Sequence, residues 1–302
     1  MATLYTQQDR NVHRTWFLMA VFLVIVVAIG YFISWYWQSP GFLFVAIFIA
    51  LAMNITSYWY SDKISLSLAR AVPAKREDNL QLFQVIENLS ITAGLPMPRV
   101  FIIPDQAPNA FATGRDKNHA AVAVTQGLLN MMDKNELSGV IAHELSHIGN
   151  RDILLSTTVV VLVGFIAIIA YVFTRSMWFG LGSRRGNNRN SGGQLGAILA
   201  IVGIVFVILS PIVAQLIQLA ISRKREFLAD ADGALLTRYP EGLASALEKI
   251  QGYGRPMTTA NNATAHLYIS NPFGAKAGTG LAKLFMTHPP TEERIKILRG
   301  ME

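Results

Sequence analysis

The chain has 302 residues, 52% hydrophobic and 15% charged, with a formal net charge of +7. So apolar and sparsely charged a composition excludes an ordinary soluble domain, and the absence of Cys excludes disulfides and thiolate metal ligands. The basic excess does not mark a nucleic-acid binder: Arg10, Arg14, Lys63, Arg223, Lys224 and Arg225 flank apolar segments and read as topology determinants at an anionic membrane face.

Residues 1–60 form an N-terminal tail and two spans. Trp16 to Trp37 and Gly41 to Tyr60 contain no Asp, Glu, Lys or Arg, and each suffices for the roughly 20 residues of a transmembrane helix. Trp16, Trp35, Trp37, Trp59 and Tyr60 lie at their ends, where aromatic rings favour the headgroup level. No small-residue cleavage site follows the first span, so it reads as a retained anchor rather than a secretory signal.

Residues 61–152 read as the first part of a soluble domain. Residues 61–76 continue the second span as a helix broken near Pro73. Asp78 to Ala93 repeats apolar residues at Leu82, Phe83, Ile86 and Leu89 and stops at Gly94, which predicts a helix with one buried stripe. Arg99 to Ile103, Ala110 to Thr113 and Ala120 to Thr125 predict three short strands, with turn chemistry at residues 114–118. Asp133 with Glu136 three residues on is a capping-box pattern, and it opens a helix whose core side is Leu137, Ile141, Leu145 and Ile148.

That helix carries His143-Glu144-Leu145-Ser146-His147, an H-E-x-x-H run. Residues four apart share a helical face, so both imidazoles can hold one metal ion while Glu144 lies beside the water on it. The bland alternative is a solvated face with two incidental histidines; the apolar flanks Ile141, Ala142 and Ile148 weaken it.

Residues 153–222 form a second apolar hairpin, Ile153 to Thr174 and Gln194 to Ser222, joined by a loop with Arg175, Arg184, Arg185 and Arg189. Both segments predict spans, although Gln194, Gln215, Gln218 and Pro211 can equally face protein or a water-filled groove. Ligands of one ion share one side of the membrane, so any ligand beyond residue 222 requires an even number of crossings after His147. That count groups the N-terminal tail, residues 61–152 and residues 223–302, and their basic flanks make the shared side the cytoplasm. The Arg-rich loop argues the other way.

Residues 223–302 complete the soluble domain, with helices at Glu226 to Leu236 and Glu241 to Tyr253, a long loop over 254–280, and a closing helix from Thr291, its expected N-cap, to Arg299. A catalytic zinc takes three protein ligands and an open position. Glu226 is the best candidate for the third, with Asp230 one turn on and able to orient a ligand imidazole. On spacing alone Asp152 reads as a helix-end polar residue. His288, before two prolines, and Arg294 are candidate donors to an oxyanion, though alone they look like surface residues. His13 and His119 read as non-functional; His266 is a weak candidate for the cleft.

Five motifs in order resemble the HtpX membrane zinc metalloproteases, relatives of the prenyl-protein endopeptidases: Ser61-Asp62-Lys63, Asn109 to Gly114, His143 to Asp152, Arg225 to Asp230, and Thr287-His288-Pro289-Pro290 with Arg294-Ile295. The resemblance implies a mainly α integral membrane protein with about four transmembrane helices and a cytoplasmic α+β zincin-type (gluzincin) catalytic domain. It implies one Zn2+ per chain on His143, His147 and Glu226, Glu144 as base, and His288 and Arg294 stabilising the tetrahedral intermediate. It also raises Asp230 and Asp152 to orienting positions, overruling the spacing argument on Asp152. Asn109, Ala110, Phe111, Ala112 and Thr113 would offer a strand edge to an extended polypeptide. The family is associated with quality control of misfolded and membrane proteins in the bacterial inner membrane, and with self-cleavage. The rival expectations are processing of prenylated C-termini and a membrane scaffold with structural zinc. The oligomeric state is not specified by these residues.

Overall fold

The computed structural model describes residues 4–166, 222–274 and 289–301. Helices α1 (Leu4–Tyr36) and α2 (Gly41–Leu68) pack against each other. At 1.5 Å per residue the 33 residues of α1 reach about 50 Å, beyond the roughly 30 Å of a hydrocarbon core, so its polar first turns stand clear of lipid. Phe17, Phe44, Phe48 and Ile55 are more than half exposed along this pair, as suits a lipid-facing surface.

The expected helix over residues 61–76 ends early. After Leu68 the chain turns through Arg70, with φ +54°, into strand β1 (Val72–Pro73). Pro73 lacks an N–H and therefore suits this outermost strand. With β2 (Arg99–Ile103), β3 (Ala110–Thr113) and β4 (Ala121–Thr125) it makes a sheet of order β1-β2-β4-β3. β2 and β4 run parallel with Val100 opposite Val122, while β1 and β3 are antiparallel to their neighbours.

Side-chain alternation divides the sheet into two packed faces. Ala110, Ala112, Val122 and Val124 meet α3 (Leu80–Thr92) and the central helix α5 (Lys134–Gly149), which follows the short α4 (Gln126–Met131). Phe111, Ala121 and Ala123 face Leu155, Val159 and Leu162 of α6 (Asp152–Ile166), together with Leu18 and Phe22 of α1. Asp133 caps α5 by accepting from the N–H groups of Asn135 and Glu136, and the Glu136 carboxylate accepts from the Asp133 N–H, as the sequence predicts. Helices α7 (Arg223–Thr237) and α8 (Pro240–Tyr253) cross α5 closely, and α9 (Thr291–Arg299) packs on α8. Two glycines permit that approach. A Cβ on Gly139 would lie 2.5 Å from the Leu243 nitrogen, and one on Gly233 would lie 3.1 Å from the His143 nitrogen.

The transition from α5 to α6 bends by 84°. The described start of the third apolar segment, through Val163, is almost wholly enclosed by protein. Among the described residues α1 and α2 are long and apolar enough to cross a membrane, with a third span only if α5 and α6 count as one bent element. The fourth apolar segment lies outside the described residues. At the other end Pro290, not Thr291, occupies the N-cap of α9, and no side chain caps it.

Candidate metal centre

α5 presents His143 and His147 on one face, with ring centroids 4.7 Å apart and Nε2 atoms separated by 3.2 Å. α7 brings Glu226 to them: its Oε2 is 3.9 Å from His143 Nε2 and its Oε1 3.6 Å from His147 Nε2. One ligand atom from each lies within 4.8 Å of the others, which joins α5 to α7. Zinc bonds of about 2.0–2.1 Å in a tetrahedron place ligand atoms about 3.4 Å apart, so the cluster fits that ion. Electrostatics agree. Burial opposes a charge on His147, yet Asp152, Glu226 and Glu144 lift its ring to about 9, a measure of how strongly the site attracts a cation.

Each imidazole is held from behind. His143 Nδ1 lies 2.9 Å from Asp230 Oδ1, and His147 Nδ1 lies 3.1 Å from Asp152 Oδ2. A carboxylate accepting from Nδ1–H leaves Nε2 as the free lone pair, which fixes the ligating tautomer. Arg294, 1% exposed, grips Asp230 in turn, donating from Nε at 2.8 Å and Nη2 at 2.7 Å. Burial would raise the Asp230 carboxyl, but the guanidinium dominates and draws it down to about 2.

Glu144 completes the cluster. It is 1% exposed, its Oε1 has no partner, and the Ala112 N–H donates to its carboxylate. Burial, reinforced by Glu226, pushes this carboxyl up to about 7 against the opposing pull of His147, Ala112 and Arg294. Glu144 shares one small cavity with His147 and Glu226.

Residues 76–302 match the model of peptidase family M48. The chain belongs to peptidase family M48. It is 50% identical over 301 residues to a Protease HtpX homolog of Caldanaerobacter subterraneus subsp. tengcongensis, covering 99% of this chain and 98% of that protein. A Protease HtpX homolog of Pyrococcus abyssi is 48% identical over 95% of this chain and 94% of its own. Among solved structures, S. mikatae Ste24p aligns with a TM-score of 0.49 and 18% identity, over 93% of this chain and 62% of that one.

The cleft of this M48 chain is nearly closed. A cavity of about 30 Å³, room for about one water, touches Glu144, His147, Glu226, Ala112, His266 and Leu267. His266, weak in the sequence, therefore does reach the cleft, with Nε2 2.9 Å from the Ser156 carbonyl oxygen. Of the expected substrate strand, Ala110 and Ala112 turn their backbone groups outward. The Ala110 carbonyl already accepts from the Ile269 N–H at 2.9 Å, and the Asn109 side chain pairs with both backbone groups of Ser270. Phe111 points the opposite way, edge-on to Tyr268, and Thr113 hydrogen-bonds Thr157.

Arg294 spends three donors on Asp230 and on the Ile269 carbonyl, and its Nη1 lies 3.9 Å from Glu226 Oε2. His288 lies outside the described residues. Two residues were misjudged or missed. Arg225, read as a membrane-face charge, is 7% exposed with Nη1 3.6 Å from Asp152 Oδ1. Asn11, hidden in a basic tail, reaches the same carboxylate. No sequence signal marked Asn11; the adjacency of Arg225 to Glu226 was the one available for Arg225.

Proposed function

We propose that the chain is a zinc-dependent endopeptidase of the bacterial inner membrane, which hydrolyses peptide bonds of misfolded and membrane proteins and can cleave itself. The observation that carries this reading is the convergence of His143, His147 and Glu226 within 4.8 Å beside the buried Glu144, whose Oε1 has no partner. Zinc bound there would polarise a water and the scissile carbonyl.

The chain's own residues supply the rest. Glu144, whose carboxyl is pushed up by burial to about 7, would take the proton from the attacking water and deliver it to the leaving amine. Asp230 and Asp152 hold the two imidazoles in register. His288 and Arg294 would donate to the oxyanion; Arg294 also anchors Asp230, so its substitution acts on both. An extended substrate would pair along Asn109 to Thr113 in the manner of an added strand. To reach Ala110 it has to displace Ile269 and Ser270, which occupy that edge.

We further propose about four membrane crossings, two of them α1 and α2, with the catalytic part facing the cytoplasm. Hydrogen bonds from Gln8 and Asn11 at the start of α1 to Gly149 and Asp152 support a shared side for the N-terminus and the metal centre.

The test is metal analysis and casein cleavage by detergent-solubilised protein, wild type against Glu144→Ala. One zinc per chain in both, with cleavage and self-digestion abolished in the variant and by chelator, is the expected result. Undiminished cleavage by Glu144→Ala would remove the proposed base.

A further inference from the structure

The geometry points to Asn11, on the first membrane helix, as a positioning residue of the metal centre that joins both ligand-bearing helices to the membrane anchor. The inference rests on the zinc reading given above. Asn11 is 3% exposed although it lies among the polar first turns of α1. Its Nδ2 donates to Asp152 Oδ1 at 2.6 Å and to the Asn150 carbonyl at 3.1 Å, while its Oδ1 accepts from Arg225 Nη1 at 3.2 Å. Asp152 places its other oxygen against His147 Nδ1, and Arg225 is the residue immediately before Glu226.

One amide therefore touches the support of one ligand and the neighbour of another. From the preceding turn Gln8 Nε2 donates to the Gly149 carbonyl, the last residue of α5, and fixes the same junction a second time.

These contacts use two donors and one acceptor, which a single amide supplies. A carboxylate only accepts and a guanidinium only donates, so a side chain between them must offer a donor to one and an acceptor to the other, and this also fixes which way the amide points. Asp at this position would set a second anion against Asp152. Leu would leave one oxygen of the buried Asp152 without this donor, where an unmet hydrogen bond is most damaging. With its outer oxygen left to the longer 3.6 Å ion pair with Arg225, the Asp152 carboxylate can rotate away from His147, and the imidazole loses its orientation.

The experiment uses the full chain in detergent or lipid discs, in a Glu144→Ala background that keeps every sample intact. Zinc retention against a competing chelator is measured for Asn11→Leu, Asn11→Asp and the pair Asn11→Asp with Asp152→Asn, alongside the unfolding midpoint of each metal-free form. We expect both single variants to bind zinc about tenfold more weakly and to lose some metal-free stability to the unmet hydrogen bond, by less than the loss in binding. The pair exchanges amide and carboxylate, restores a donor–acceptor match, and should recover part of the lost affinity relative to Asn11→Asp. In the Glu144 wild-type background, kcat should fall while KM for casein stays constant.

Zinc retention in Asn11→Leu equal to the parent's would overturn the inference. So would a fall in affinity matched by an equal loss of metal-free stability, since that is simple packing damage. A parent that binds no zinc sinks the zinc reading itself, a result distinct from a zinc-binding parent indifferent to position 11.

Discussion

Replacing Asp230 with Asn strikes the most deeply buried charge pair in the metal centre. Asp230 and Arg294 are each 1% exposed and joined by two hydrogen bonds of 2.7 and 2.8 Å. Asn keeps the shape, but its amide nitrogen must face either the His143 Nδ1–H or an Arg294 N–H, donor against donor. The guanidinium then has Glu226 Oε2, 3.9 Å away, as a close anion, and that oxygen belongs to the candidate metal-binding group. Stranding one member of a buried pair destabilises by about 3–5 kcal/mol. For a domain of this size that lowers the unfolding midpoint by roughly 10 °C. Exchange of the carboxylate behind His143 for a neutral amide should independently weaken zinc binding by about 10–100-fold.

The two effects separate in a double variant. Arg294→Met removes the stranded cation, so Asp230→Asn with Arg294→Met should be more stable than the sum of the single losses implies. Its zinc affinity should stay below the parent's, because the neutral amide carbonyl left behind His143 is a weaker acceptor than the carboxylate. Calorimetry or tryptophan fluorescence of the chelator-treated protein reads the first quantity, and zinc competition reads the second. An Asp230→Asn protein with parental midpoint and parental zinc affinity would refute the assignment of this pair.

Gly139→Ala forces a methyl against the Leu243 backbone at 2.5 Å and should cost about 1–3 kcal/mol by overpacking, read as a lowered midpoint. Gly233→Ala meets the His143 nitrogen at the looser 3.1 Å. It should destabilise less yet weaken zinc binding more, since it shifts the helix bearing Glu226; equal affinity losses in the two would contradict this. At Glu136, burial alone would raise the carboxyl, but hydrogen bonds from Lys249, Ser245 and the Asp133 N–H hold it below its ordinary value. Its contribution is therefore fully present above the unfolded carboxyl range and is lost as pH falls through the lowered folded value. Between pH 6 and about 3, the midpoint of the parent should drop more steeply than that of Glu136→Gln, and parallel slopes would count against the assignment.

Local rules carried the sequence reading where the chemistry is local. The H-E-x-x-H face, the Asp133 and Glu136 capping box and strands β2 and β3 depend on residues a few positions apart, and their patterns survive folding unchanged. Glu226 was legible through its spacing to Asp230, one turn on, and through the demand of zinc for a third ligand. Asp152 was not legible by spacing, because its value comes from lying 3.1 Å from His147 across an 84° bend that no periodicity encodes.

What the tertiary structure alone decided is set by contacts between distant segments. Asn11 and Arg225 looked like ordinary members of basic membrane flanks; more than two hundred residues apart in sequence, they meet at 3.2 Å over one carboxylate. Ile269 and Ser270 sit on the edge that Asn109 and Ala110 present, a pairing absent from any local pattern. Composition and short-range spacing thus marked the candidate ligands and the candidate base. Packing decided which of the remaining polar groups are buried against them, because burial is a property of the assembled core and turns a surface-type residue into a structural partner of the site.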